Sequence, residues 1–103
     1  MSDLVHETLQ VHRTDGIIVA VGELDLVGGP VLEHAVHAVE DADEPVAIDL
    51  SQVTFVDSSG LRCLIAASQR SAARGRRVRV ISPTNVVSRL LEITATASMF
   101  DIE

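Results

Sequence analysis

Apolar residues along this chain fall into short runs and stripes separated by polar turns, and their spacing sets an order of elements. From Leu4 to His12, Val5, Leu9 and Val11 stand at odd positions against Thr8, Gln10 and His12 at even ones, a partial period of two that predicts a half-exposed strand. Thr14-Asp15-Gly16 supplies a turn, and the β-branched run Ile17-Ile18-Val19-Ala20-Val21 follows as a strand expected to be buried on both faces. The two make a hairpin. Gly22-Glu23-Leu24-Asp25 ends the second strand with two carboxylates where the backbone turns toward a helix. Gly29-Pro30 fits the start of that helix, because Pro is tolerated in a first turn, while the Gly28-Gly29 pair predicts a flexible entry. Val31, Leu32, Ala35, Val36 and Val39 then recur at three- and four-residue steps, one apolar stripe that covers a sheet face.

The middle of the chain reads as a short apolar strand, Val46 to Leu50, a polar elbow at Ser51-Gln52, a second apolar touch through Val56, and then Asp57-Ser58-Ser59-Gly60 opening a helix that runs to about Ala73. That helix is expected to bury Leu61, Leu64, Ile65 and Ala72. Arg70 and Arg74 in its last turn and Gly75 just beyond mark its end. Val78-Arg79-Val80-Ile81 alternates apolar residues with Arg as a strand, and Ser82-Pro83-Thr84-Asn85 turns into a third helix carrying Val86, Val87, Leu90, Leu91 and Ile93. Met99-Phe100-Asp101-Ile102 is either a last short strand or a docked tail. The order β-β-α-β-α-β-α(-β) predicts a single α/β domain over residues 1–103, with a small mixed sheet of four to five strands, mainly parallel after the hairpin, and helices packed across it.

Charge changes this picture. The formal net charge is −7, yet residues 1–60 hold twelve acids and one Arg, whereas residues 61–103 hold three acids and seven Arg. The acidic run Glu40-Asp41-Ala42-Asp43-Glu44-Pro45 is either a solubilising exit from the first helix or a surface for a basic partner. Five Arg lie between positions 70 and 79, but the chain has no Tyr or Trp for base stacking and its overall charge repels phosphate, so nucleic acid is not an expected partner. No apolar run approaches the roughly 20 residues of a membrane span, and Met1-Ser2-Asp3-Leu4 lacks the pattern of a signal peptide, so the expected location is cytoplasmic. Cys63, the one cysteine, lies among Leu61, Leu64 and Ile65 and reads as a buried, inert thiol.

Candidate chemistry concentrates at the start of the middle helix. Asp and Ser side chains cap helices by accepting hydrogen bonds from first-turn N–H groups that have no helical partner. Two hydroxyls and a glycine after Asp57 supply more polar valence than one cap requires, and a helix N-terminus favours negative charge. A phosphate on Ser58 or Ser59 could therefore be held without unfolding the helix. A serine hydrolase is not indicated: Val56 stands where the nucleophile elbow has its glycine, and His6, His12, His34 and His37 all precede the centre of the chain. His34 and His37 show no spacing of a zinc site, and no phosphate loop is present, so no metal, cofactor or intrinsic kinase is expected.

Asp57-Ser58-Ser59-Gly60-Leu61 after Ile48-Asp49-Leu50, with Gly22-Glu23-Leu24-Asp25 upstream and Ile81-Ser82-Pro83 before the last helix, resembles the anti-sigma factor antagonists (anti-anti-sigma factors) of bacteria, phosphoproteins of the STAS domain family that regulate transcription by partner switching. The resemblance covers the chain from about Gly22 to Leu91. It implies a non-enzymatic protein that, unphosphorylated, binds an anti-sigma factor with serine kinase activity and frees a sigma factor. Phosphorylation of Ser58, with Ser59 as rival acceptor, switches it off, and a serine phosphatase resets it. It further implies that Asp25, Asp57, Ser58, Ser59 and Gly60 belong to the partner-binding rim, where Asp57 orients the hydroxyl or caps the helix and Gly60 leaves room for a partner backbone. Arg62 departs from the family pattern, which commonly has a small residue there; it is expected on the same rim, pairing with the phosphate or with a partner acid. The alternative is a STAS-type module of a stress-signalling scaffold or a transporter-associated complex.

Overall fold

The computed structural model describes residues 9–103. The part of the first strand placed at Leu4 to Thr8 lies outside the described residues; from Leu9 the strand continues to Thr14 (β1), two residues past the expected His12. It pairs antiparallel with Ile17–Leu24 (β2), and Thr14 faces Ile17, so Asp15-Gly16 alone forms the connection. Both turn residues have positive φ (53° and 78°), the two-residue turn whose twist matches a hairpin and for which Asp-Gly is the favoured pair. β2 is not buried on both faces. Ile18, Ala20 and Leu24 are buried while Ile17, Val19 and Val21 are half-covered, because β2 carries helices on its core side only.

Helix α1 (Gly28–Asp41) follows, then strand β3 (Ala47–Val56), helix α2 (Ser58–Ala73), strand β4 (Arg79–Ile81), helix α3 (Asn85–Ile93), a 3-10 turn at Ala97–Met99 and strand β5 (Asp101–Ile102). The last stretch is thus a strand as well as a docked end. The sheet order is β1-β2-β3-β4-β5, antiparallel only between the first two. α1 and α2 pack on each other and against β2, while α3 lies against β3. Each helix meets the core as its period dictates. α1 buries Leu32, Val36 and Val39; α3 buries Val87 and Leu91, one turn apart, and leaves Val86 and Ile93 outside. In α2 the buried series is Leu61, Leu64, Ser68 and Ser71 with Ala67, and Ala72 is exposed, one residue off that face. Ser68 Oγ donates to the Met99 carbonyl at 3.0 Å, which satisfies the buried hydroxyl.

The polar elbow expected inside the central segment is a bulge within one continuous ten-residue strand. Val19 pairs with Asp49 but Val21 with Gln52, so β3 carries an extra residue there, and Asp49 Oδ1 accepts from the Ser51 N–H at 2.8 Å. A second extra residue falls between Val53, opposite Gly22, and Phe55, opposite Glu23. It breaks the in-out alternation, so Val53 is buried, Thr54 is exposed and Phe55, two along, is exposed as well.

The two oppositely charged halves of the sequence meet inside the chain. Arg70 Nε donates to Glu40 Oε2 at 2.9 Å and its other arm reaches Glu33; Arg74 donates to the Glu40 carbonyl at 2.9 Å, and Arg76 pairs with Asp43 at 3.2 Å. Arg77 bonds Asp101, and Arg79 bonds Glu103. Glu44 takes Arg13 at 3.0 Å. Much of the acidic run is therefore matched by this chain's own arginines, which also compensate the negative end of α1. Arg62 and Arg89 have no acid within ion-pair distance among the described residues.

Candidate functional site at the ends of the central strands

Leu24 and Val56 pair across the parallel strands β2 and β3, so the turns that follow them, at Asp25 and Asp57, sit side by side on one rim of the sheet. The Asp57 N–H donates to the Leu24 carbonyl at 3.3 Å and ties the two turns together. Asp57 is the N-cap of α2: its Oδ1 accepts from the N–H groups of Ser59 at 2.9 Å and Gly60 at 3.1 Å, while its carbonyl accepts from Leu61 at 2.9 Å. Asp25 does the same work one strand over, with Oδ1 accepting from Val27 at 3.0 Å and Gly28 at 2.8 Å and its carbonyl from Gly29 at 2.7 Å. The structure gives Asp25 this local bonding in addition to any contact with a partner.

With the cap supplied by Asp57, neither serine hydroxyl is needed to start the helix. Ser58, the first residue of α2, is exposed, and no partner engages its hydroxyl among the described residues; Ser59 is half-buried. Arg62 stands one turn further along α2, exposed and without an ion-pair partner among the described residues. The described histidines lie on other elements, His12 in β1 and His34 and His37 in α1, where His37 meets Glu40 at 3.1 Å.

The glycines do different work from that expected of them. A Cβ on Gly60 would stand 2.0 Å from the Leu24 carbonyl oxygen, so this chain's own backbone already requires the close approach that glycine permits. Gly28-Gly29 is no flexible entry. Both are buried, and Cβ atoms there would meet the Glu23 carbonyl oxygen at 2.2 Å and Cys63 Sγ at 2.8 Å. Cys63 is half-buried rather than fully enclosed; burial first, and then the charge and hydrogen bond of Glu33, push its thiol above the ordinary value, which disfavours the reactive thiolate.

Three rim residues were not singled out from the sequence. Leu26 and Val27, between Asp25 and α1, are 74% and 61% exposed, and Phe55 at the end of β3 is 48% exposed. Leu26-Val27 carried a signal, two large apolar residues in a turn ahead of the helix stripe they do not join. Phe55 carried none, since its exposure follows from the bulge. The rim thus combines an apolar patch, the carboxylates of Glu23, Asp25 and Asp57, an exposed hydroxyl and, at Arg62, a cation with no acid partner among the described residues.

The family model described as "Mlab, STAS domain" matches residues 3–100. The chain is 39% identical over 70 residues to the anti-sigma-F factor antagonist RsfB of Mycobacterium tuberculosis, a match covering 66% of this chain and 57% of that protein. It spans little more than half the length of that relative. A crystal structure of an anti-sigma factor antagonist from Mycobacterium paratuberculosis is 32% identical and superposes with a TM-score of 0.73, over 92% of this chain and 83% of that one. The Bacillus cell fate determinant SpoIIAA in its phosphorylated form shares the fold at 15% identity, with a TM-score of 0.66 over 92% and 90% of the two chains. Family model, relatives and sheet order agree: the chain belongs to the STAS domain family.

Proposed function

We propose that this chain is an anti-sigma factor antagonist built as a single STAS domain, a cytoplasmic binding module and not an enzyme. Unphosphorylated, it docks through the Asp25–Asp57 rim on an anti-sigma factor that is also a serine kinase, and a sigma factor is released. Phosphorylation of Ser58 ends the interaction and a serine phosphatase restores it. The observation that carries this reading is the exposed, unengaged hydroxyl of Ser58 beside a cap already completed by Asp57. Support also comes from the likeness to RsfB and to the mycobacterial antagonist structure.

The physics of the switch follows from the rim. Phosphorylation adds about −1.5 to −2 charges at neutral pH. The positive end of α2 favours that group by roughly 0.3–1 kcal/mol, and no bond has to break to admit it. The scaffold is expected to change little, in line with the shared fold of phosphorylated SpoIIAA. At the interface the new charge joins Glu23, Asp25 and Asp57 on a surface whose apolar residues, Leu26, Val27 and Phe55, need a dry contact. Like charges brought together across an interface cost several kcal/mol; at roughly 3 kcal/mol, affinity falls about a hundredfold. Arg62 takes part in the rim as the cation facing either the phosphate or a partner acid. Incubating the protein with its anti-sigma kinase and ATP, then mapping the product by mass spectrometry, tests the assignment. Phosphate on Ser58 is expected; phosphate on Ser59, or none, contradicts it.

A further inference from the structure

A second concavity lies away from that rim. A groove of about 460 Å³ opens between edge strand β1 and the first turns of α1, with Val11, Pro30, Val31 and Ala35 as its apolar walls and His12, Arg13 and His34 as its polar groups. Leu32, Val36 and Val39 of α1 reach the core, while Val31 remains 39% exposed and Ala35 is half-buried at its margin. The volume lies within the roughly 300–1,000 Å³ of small-molecule clefts, which are apolar with a few placed polar groups.

The sign of those polar groups selects the occupant. In a chain with fifteen acids against eight basic residues, no Asp or Glu lines this groove among the described residues, and Arg13 and His34 offer nitrogen there. Arg13 bonds Glu44 through one nitrogen, in an exposed pair, and a guanidinium has five N–H donors in a fork suited to carboxylates. We propose that the groove binds a free medium-chain monocarboxylate, with its alkyl tail along Val11, Pro30, Val31 and Ala35 and its carboxylate on Arg13, at the end of the groove that His34 also lines. Neither half suffices alone, since the walls are too open to hold a neutral tail tightly and the exposed cation too solvated to hold a bare anion.

The test is a titration of the full chain with decanoate below its micelle concentration, followed by backbone amide NMR shifts. Saturable shifts are expected at residues 11–13 and 30–35. Decanol in place of decanoate, or the Arg13→Gln variant, weakens binding at least about fivefold, and Val31→Glu, which sets a carboxylate in the groove, about tenfold. Both substituted side chains are partly exposed, and unchanged circular dichroism verifies that the variants fold. The proposal is overturned by any of four results: no saturation, shifts centred on Leu26 and Phe55, decanol binding as tightly as decanoate, or binding seen only after residues 1–8 are removed.

Discussion

Two neighbouring strand ends use one device for different purposes. After β2 and after β3, an aspartate accepts hydrogen bonds from the N–H groups two and three residues ahead, at 2.8–3.0 Å for Asp25 and 2.9–3.1 Å for Asp57. At the third position of each turn sits a glycine without which the backbone could not pack, Gly28 against the Glu23 carbonyl and Gly60 against the Leu24 carbonyl. They differ in what they show to solvent. The Asp25 turn displays Leu26 and Val27, and the Asp57 turn displays the hydroxyl of Ser58. Once the aspartate and glycine have met the backbone's needs, the residues between them are free of structural duty. One turn exposes apolar side chains there and the other a hydroxyl.

The largest effect is expected from the glycines that the two turns share. Gly60→Ala forces a Cβ into a carbonyl oxygen and lowers stability by about 3 kcal/mol, the upper range of overpacking; Gly28→Ala follows closely, and urea denaturation reads both. A Gly60→Ala loss below about 1 kcal/mol would show that the turns are more yielding than their packing implies. Next comes the displayed apolar area. Leu26→Asp or Phe55→Ser is expected to weaken binding to the proposed anti-sigma partner about tenfold while stability stays within about 0.5 kcal/mol, a split that calorimetry with denaturation resolves. Asp25→Ala and Asp57→Ala each cost about 1 kcal/mol of stability, as loss of a cap does, and near-equal values bear out the shared device. Smallest is the thiol between them. Cys63, beside Gly29 and raised by burial and by Glu33, reacts with a disulfide reagent at pH 7 well below the rate of a free thiol, and unfolding restores that rate.

The sequence showed most of the fold because its signals were local. Asp15-Gly16 gave the hairpin turn, Asp57 the start of α2 and Gly75, with φ of +71°, its end. What it hid depended on partners distant along the chain. The bulges in β3 exist only in register with β2, so that the Ser51-Gln52 elbow is a bulge inside one continuous strand, and that Phe55 is exposed, were not legible beforehand. The acidic run read as an exit or a docking surface because its arginines lie some thirty residues further on. Gly60 read as room for a partner because nothing local announces the Leu24 carbonyl behind it. At the rim, the Asp57 cap was legible from local chemistry and Asp25 from the Gly22-Glu23-Leu24-Asp25 motif, whereas the joining of Phe55 with Leu26 and Val27 emerged only when strand pairing set two turns side by side.

The central claim is that Ser58 carries no structural duty and controls docking by charge. Its most direct measurement compares Ser58→Glu with the unmodified chain in two quantities at once, affinity for the proposed anti-sigma partner by titration calorimetry and the thermal midpoint. The account predicts affinity lower by about a hundredfold, from like-charge repulsion of roughly 3 kcal/mol, with the midpoint moved by no more than about 2 °C. Undiminished affinity, or a loss of affinity that comes only with a collapse of the midpoint, would contradict it.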